Sequence, residues 1–348
     1  MNNTALMPKN ARYAEKLYIC IENKPKIKDM YQSQFRKRPK HGFSITKNKL
    51  AALCAGFLLV FFHGNLQGQI EIIGLAGSSH FLGDLGGKPL RGTNDISDLD
   101  IQSTRWGLGA GARIFLSKKI ALRGNLIWAR VSGDDKYTSN PERRGRNSNF
   151  FSPIVEGSAM FEWHLNRKVD RYGNSTGGLY LFGGGGMFYF EPKTRYDGRV
   201  IDLRPLGTEG QFYRDDLEPY DNYSFSIPFG FGYRFALKNG GLLGIELNTR
   251  KTFTDYIDDV STTFADPDLL LQSNGALAVT LADRSTSNIP GFNDPGAIRG
   301  NPDNNDTFFF LFITYSHPLG SDYYGGLGPS GKRKGGRGKK GKNKCFEF

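Results

Sequence analysis

Every second residue from Tyr223 to Phe235 is aromatic or aliphatic: Tyr223, Phe225, Ile227, Phe229, Phe231, Tyr233 and Phe235. Between them stand Ser224, Ser226, Pro228, Gly230, Gly232 and Arg234. Strand side chains point alternately to two faces, so this segment has one greasy face and one small or charged face. The pattern recurs in Leu243, Ile245, Leu247 and Thr249 against Gly244, Glu246, Asn248 and Arg250. It recurs again in Trp106, Leu108, Ala110, Ala112, Ile114 and Leu116 against Arg105, Gly107, Gly109, Gly111 and Arg113. A soluble sandwich or lipocalin-like barrel also alternates, but it would turn the large side chains inward. Eight strands leave little internal room for that much aromatic bulk, so the greasy face reads as the outer one, against lipid.

Read in this way, the chain yields eight strands, at about 69–79, 104–117, 119–132, 148–165, 177–191, 220–236, 241–256 and 306–318. Most exceed the average soluble strand and are long enough to cross a bilayer while tilted. The connections at Ser117-Lys118, 166–176 and Leu237–Gly240 are short, and those at 80–103, 133–147, 192–219 and 257–305 are long. Short and long alternate strictly, as periplasmic turns and extracellular loops do in outer-membrane barrels. The expected fold is all-β: an eight-stranded antiparallel transmembrane β-barrel over 69–319, with both barrel ends in the periplasm. The 45 glycines, 13 % aromatic content and mean hydropathy of −0.45 suit it, because only alternate residues meet lipid.

The two ends have different characters. Lys47-Asn-Lys49 precedes an apolar run from Leu50 to Phe62, too short for a span of roughly 20 residues. A basic flank, a short apolar stretch and Gly64–Gly68 read as a secretory signal cleaved after Gly68, with 1–68 forming an N-terminal extension and signal. Met30 offers a later start, and Leu53 before Cys54 is too large for lipoprotein processing. Removal of Cys20 and Cys54 leaves Cys345 alone, so no internal disulfide is expected. The net charge of +12 divides into +9 over 1–68, +7 over 332–348 and −4 over the rest. The mildly acidic centre argues against a nucleic-acid partner.

The inward register carries Arg105, Arg113, Arg123, Arg234 and Arg250 together with Glu156, Glu162 and Glu246. Buried charge is costly unless paired, so these residues are expected to form a network that plugs the lumen. No catalytic, cofactor or metal site is expected. His80, His164 and His317 have no metal-ligand spacing and no evident nucleophile beside them, and the latter two sit near strand ends as interfacial residues. Gly183–Gly186 lies within a strand with no helix after it, which suits close packing rather than phosphate binding. The acidic loop around Asp255, Asp258 and Asp259 lacks the ligand spacing of a calcium loop and reads as solvated.

From about 320 the chain is a basic tail that cannot bury a core and is expected to be disordered when free. Its Lys332, Arg333, Lys334, Arg337, Lys339, Lys340, Lys342 and Lys344 suit an acidic periplasmic partner or the anionic head groups of outer-membrane lipids.

Particular stretches carry a resemblance. Arg250–Phe264 (RKTFTDYIDDVSTTF) resembles the signature of the PorG-type outer-membrane barrels of the Bacteroidetes type IX secretion and gliding machinery. Phe81–Leu85 (FLGDL), Gly232–Phe235 (GYRF), Leu281–Ser285 (LADRS) and the ending Lys344–Phe348 are similar to other features of that family. Within the signature stand Thr252, Asp255, Tyr256, Asp258 and Asp259, on the long-loop side and placed to fold over the barrel mouth. The resemblance implies a non-enzymatic component of the secretion apparatus that contacts a periplasmic ring of PorK- and PorN-like proteins. The topology itself offers such a partner only the short turns and the tail, which nominates Asn166, Arg167, Lys168 and Lys238 beside the tail cations. Two other readings are a general barrel of OmpA type for adhesion or envelope stability, and a lipid A–modifying enzyme.

Overall fold

The computed structural model describes residues 70–85, 101–138, 141–166, 168–169, 175–238, 240–286 and 289–319. The expected signal and its cleavage site, Arg167 and the basic tail lie outside the described residues.

The eleven strands are β1 (Ile70–Leu82), β2 (Arg105–Phe115), β3 (Ile120–Asp134), β4 (Asn149–His164), β5 (Lys168–Val169), β6 (Ser175–Phe190), β7 (Lys193–Tyr196), β8 (Arg199–Asp202), β9 (Tyr223–Ala236), β10 (Leu242–Thr252) and β11 (Thr307–Leu319). Eight of them are long. They close an antiparallel barrel in the order β1-β2-β3-β4-β6-β9-β10-β11, and β11 pairs back onto β1 from Ile70↔Leu319 to Leu82↔Thr307. Closure leaves the long strands without a free edge, so the backbone polar groups of the wall pair in the ladder, apart from a break where Gly184 and Gly185 face Ile227 and Pro228. The long strands fall within a few residues of the expected positions. The largest difference is β10, which stops at Thr252 where the chain turns away from the wall.

Two tight turns fix the register at one end. Ser117 Oγ accepts the amides of Lys119 and Ile120, turning β2 into β3. Between β9 and β10, the Leu237 amide donates to Gly241 O at 2.8 Å, and Gly240 takes a φ of 84° that favours glycine. Ile70 and Leu319 lie at this same turn end.

At the opposite end the long connections fold together into a cap. Among the described residues it contains the β7–β8 hairpin and three short helices: α1 (Pro141–Arg146), α2 (Pro267–Asn274) and α3 (Ala276–Ala282). Asp197 and Gly198 both take positive φ, the backbone of a two-residue hairpin turn that matches strand twist. Asp266 caps α2 by accepting the amides of Asp268 and Leu269, with Pro267 in the first turn.

The alternation sorts the two faces of the wall as expected. Phe225 is 65 % exposed, and Leu126, Phe161, Phe231, Ile245 and Ile313 likewise face outward, while Glu156, Arg234, Glu246 and Arg250 are buried. The exterior also carries two aromatic bands. Trp106, Trp128, Tyr189 and Tyr223 lie toward the cap end, and Trp163, Tyr233 and Tyr315 toward the turn end. Aliphatic and Phe side chains fill the zone between the bands.

Candidate functional site

The lumen is filled by side chains from all round the wall. Near the turn end, Arg113 reaches Glu71 through Nη1 at 2.8 Å and grips Glu162 through Nε and Nη2. Arg123 donates to Glu246 at 2.6 Å and to Glu162 at 3.2 Å. Arg234 completes the ring by donating to Glu71 at 2.8 Å. The Tyr180 hydroxyl donates to Glu246 at 2.8 Å, and Asn125 and Asn248 bond to members of the same ring. Higher up, Arg250 holds both oxygens of Glu156 at 2.9 Å in a fork geometry, its guanidinium 4.4 Å from the Phe310 ring centroid. Four guanidiniums thus meet four carboxylates, all essentially without solvent contact. Phe188, Phe308, Phe310 and Phe312 fill the space around and above them.

Seven of the eight lumen residues picked from the sequence fall in this network. Arg105 does not. It is the first residue of β2, at the rim, where its guanidinium takes the nearby carbonyls of Gln102 and Thr104 instead. Glu71, Tyr180, Asn125 and Asn248 were missed, although each sits in the inward register that selected the others. His164 was read as an ordinary interfacial residue. It is buried in the network, bonded to Glu162 at 3.1 Å and to Arg234 at 3.3 Å, because its register position points inward. Gly184 answers to close packing: a side chain there would run into the backbone at Ala159.

The signature region departs most from its expectation. Asp258 and Asp259 have no exposed surface and Asp255 is 6 % exposed, so this acidic loop is interior rather than solvated. The loop crosses the mouth and packs Ile257 and Val260 into an apolar cluster that runs from Phe310 in the lumen to Leu270 and Leu281 in the cap. Thr252 Oγ donates to Asp306 O at 2.6 Å where the chain leaves the wall. Tyr256 stacks on Tyr220 at 4.6 Å, and Tyr220 Oη donates to Asp259 at 2.6 Å. Thr208 Oγ donates to the other Asp259 oxygen at 2.6 Å. The two carboxyl oxygens of Asp258 accept the amides of Leu85 and Val260.

Two buried arginines brace the cap. Arg146 holds both oxygens of Asp135 and also donates to the carbonyls of Asp84 and Arg299 at 2.6 Å. Arg299 bonds Glu209 at 2.9 Å and Asp259 O at 2.7 Å, while Glu209 accepts the amides of Ser261 and Thr262. Burial raises Asp84, Asp258 and Asp306 above the usual carboxylate range; the charge of Asp84 adds to the rise of Asp258, and those of Asp258, Asp255 and Asp84 to that of Asp306. Burial likewise lifts Asp255 to about 10 and Asp259 to about 6, the latter held down by Arg299, Thr208 and Tyr220.

At the turn end, Asn166 is exposed and its side-chain oxygen accepts the Leu179 amide at 2.6 Å, while Lys238 is exposed in the β9–β10 turn. Lys168 lies in β5, which pairs with the start of β6. On the outer face near the cap, His80 bonds Ser78 Oγ at 2.9 Å and Thr104 Oγ at 3.3 Å, and stacks on Phe309. The sequence reading found no nucleophile beside a histidine; Ser78 and His80, two apart on one face of β1, make such a pair. His317 stacks on Tyr315. No group of three His, Cys, Asp or Glu among the described residues is disposed to hold a metal ion.

An apolar exterior between two aromatic bands, around a sealed polar interior, defines an eight-stranded transmembrane β-barrel. Similar strand paths occur in the attachment invasion locus protein Ail of Yersinia pestis (11 % identity, 72 % of this chain and 99 % of that one, TM-score 0.33). They occur also in the N-terminal β-barrel domain of Pseudomonas aeruginosa OprF (7 %, 73 % and 100 %, 0.30) and in Neisserial surface protein A (8 %, 72 % and 97 %, 0.30). No family model matches the chain, and no curated protein matches it.

Proposed function

We propose that this chain is an integral barrel of a bacterial outer membrane that acts as a structural or adhesive element, not as a pore. The observation that carries this reading is the sealed lumen. Four arginines paired with four glutamates and a stack of phenylalanines fill an interior that, with eight strands, is only wide enough for side chains. A cap continuous with that filling covers one mouth. What such a barrel offers its surroundings is its surface: the cap outward, and the turns and tail toward the periplasm. The test is planar-bilayer recording of the refolded protein. No sustained conductance is expected, and a stable open channel overturns the reading.

A narrower reading rests on the sequence resemblance at Arg250–Phe264: a non-enzymatic component of the type IX secretion machinery. On this reading the buried signature builds the cap and is not itself a contact. Contact with PorK- and PorN-like ring proteins then falls to Asn166, Lys168, Lys238 and the tail. A pull-down from solubilised outer membranes tests it, comparing the full chain with one ending at Leu319. Retention of ring proteins by the full chain supports the reading, and retention by neither returns the general barrel. We propose no reaction for the Ser78–His80 pair. Its strand pairs on both sides, so neighbouring amides are committed to the ladder rather than free to hold an oxyanion.

A further inference from the structure

Four buried carboxyls gather at the barrel mouth from three places along the chain: Asp84 after β1, Asp255 and Asp258 after β10, and Asp306 before β11. Asp306 Oδ1 lies against Gly83, the neighbour of Asp84, and Asp258 accepts the amide of Leu85. Three of them pin the cap, because the amides they accept belong to different segments. Asp84 takes Asn301 at 2.6 Å, Asp306 takes Ile257 at 2.8 Å, and Asp258 takes Leu85 and Val260 at 3.0 Å.

Among the described residues, the charges facing this group do not balance it. Arg146 lies beside Asp84 and Asp258, but its fork is spent on Asp135 and two carbonyls. Arg143 reaches Asp84 more weakly, and Glu209, held by Arg299, adds negative charge; the Tyr256 hydroxyl and Asp259 complete the ionisable neighbours. No salt bridge among the described residues reaches Asp255 or Asp306. Among the described residues no donor lies within hydrogen-bond distance of Asp306 Oδ1 or of either oxygen of Asp255, and the nearby Ser261 hydroxyl eases the charge of Asp255. A buried carboxyl short of partners costs far less as the neutral acid than as the anion. A divalent cation does not suit the geometry, since no three of these side chains converge.

We propose that the cap is a proton-locked lid: Asp255 and Asp306 are in the acid form while the lid is shut and give up their protons when it opens. In the open state each has an ordinary carboxyl in water, ionised above about pH 4. Closing therefore takes up protons, and opening becomes about tenfold more favourable per pH unit for each proton released, from mild acid through the neutral range. The lid is tightest in acid and loosens as pH rises.

Infrared difference spectra of the refolded full chain at pH 7 test the first half. A carbonyl band of buried carboxylic acid is expected, reduced in Asp255→Asn and in Asp306→Asn; its absence from the native chain overturns the proposal. Hydrogen exchange tests the second half, with the amides of Leu85, Ile257, Val260 and Asn301 normalised to their intrinsic rates at each pH. Protection is expected to fall at least tenfold per unit between pH 6 and pH 8, and the Asn variants are expected to flatten that slope. Flat protection in the native chain overturns the proposal. So does protection that a chelator abolishes at pH 6 and added calcium restores, which would make the occupant a cation. If Asp306→Asn fails to fold its cap, Asp255→Asn alone carries both readings.

Discussion

The lumen and the cap both bury charge in quantity, and they do it by opposite rules. Among the described residues the lumen sets Arg113, Arg123, Arg234 and Arg250 against Glu71, Glu156, Glu162 and Glu246, each guanidinium within bonding distance of a carboxylate. Among the described residues the cap buries Asp84, Asp135, Glu209, Asp255, Asp258, Asp259 and Asp306 against only Arg146 and Arg299. Inside a wall that faces lipid, neither water nor a proton is readily exchanged, so charge has to cancel side chain by side chain. The cap lies next to water and can settle its excess acid by taking up protons.

The most severe way to break this contrast is to unbalance the lumen. Arg113→Met removes one partner from each of Glu71 and Glu162 and leaves Arg123 and Arg234 to answer three carboxylates, and this excess buried charge is expected to cost about 3–5 kcal/mol. Urea unfolding of the refolded barrel in micelles reads it. A loss under 1 kcal/mol would mean that the lumen is wetter than a sealed network permits.

Removal of Arg146 from the cap should hurt less. Arg146→Met strips Asp135 of its fork and two carbonyls of their donor, but Asp135 keeps the Ser148 amide at 3.1 Å. The expected cost is about 2 kcal/mol, within the range for hydrogen bonds to charged groups, and it should appear in cap amide exchange while the barrel strands stay protected. Loss of protection in the strands as well would show that cap and barrel unfold as one unit.

Much of the lumen was legible because period two is a strong rule: a residue in the right register must point inward, as Arg113, Arg123, Arg234 and Glu246 do. The same rule would have found Glu71, Tyr180 and His164 had it been applied to every inward position rather than to the most obvious charges. Arg105 shows its limit, since at a strand's first residue the rim offers carbonyls that the register cannot foresee. The cap was read as solvated loop because no periodicity marks it. Its local signals were nevertheless present: Asp197-Gly198 for a hairpin and Asp266-Pro267 for a helix start. What no local signal carries is burial of Asp258 and Asp259, which depends on Leu85, Tyr220 and Thr208 arriving from far along the chain.

Asp306→Asn reverses the sign. In the lumen, Glu162→Gln removes a carboxylate from a balanced set and is expected to destabilise. In the cap, a carboxyl whose folded value is raised keeps its full stability only below the unfolded range near pH 4, and loses it as pH climbs toward the raised value. An amide escapes that loss. The variant should therefore match the native chain near pH 4 and gain about 1 kcal/mol or more at pH 8, read by cap exchange at both pH values. A destabilised variant at pH 8 would mean that Asp306 is ionised and needed as an anion.

The smallest effect belongs to the cap's edge, where ion pairs meet water. Lys193 in β7 bonds Asp202 in β8 at 2.7 Å and Glu191 at 2.9 Å, with Asp202 about half exposed. The chemistry is that of Arg250 with Glu156, yet water screens it and neither partner is desolvated when the other is removed. Asp202→Asn is expected to change stability by no more than about 0.5 kcal/mol, and high salt should erase even that. Set beside the lumen variants in the same unfolding assay, it separates ion pairing from burial. A cost of several kcal/mol here would show that the β7–β8 hairpin holds the cap shut through its surface charges, and that the buried carboxyls are not its principal lock.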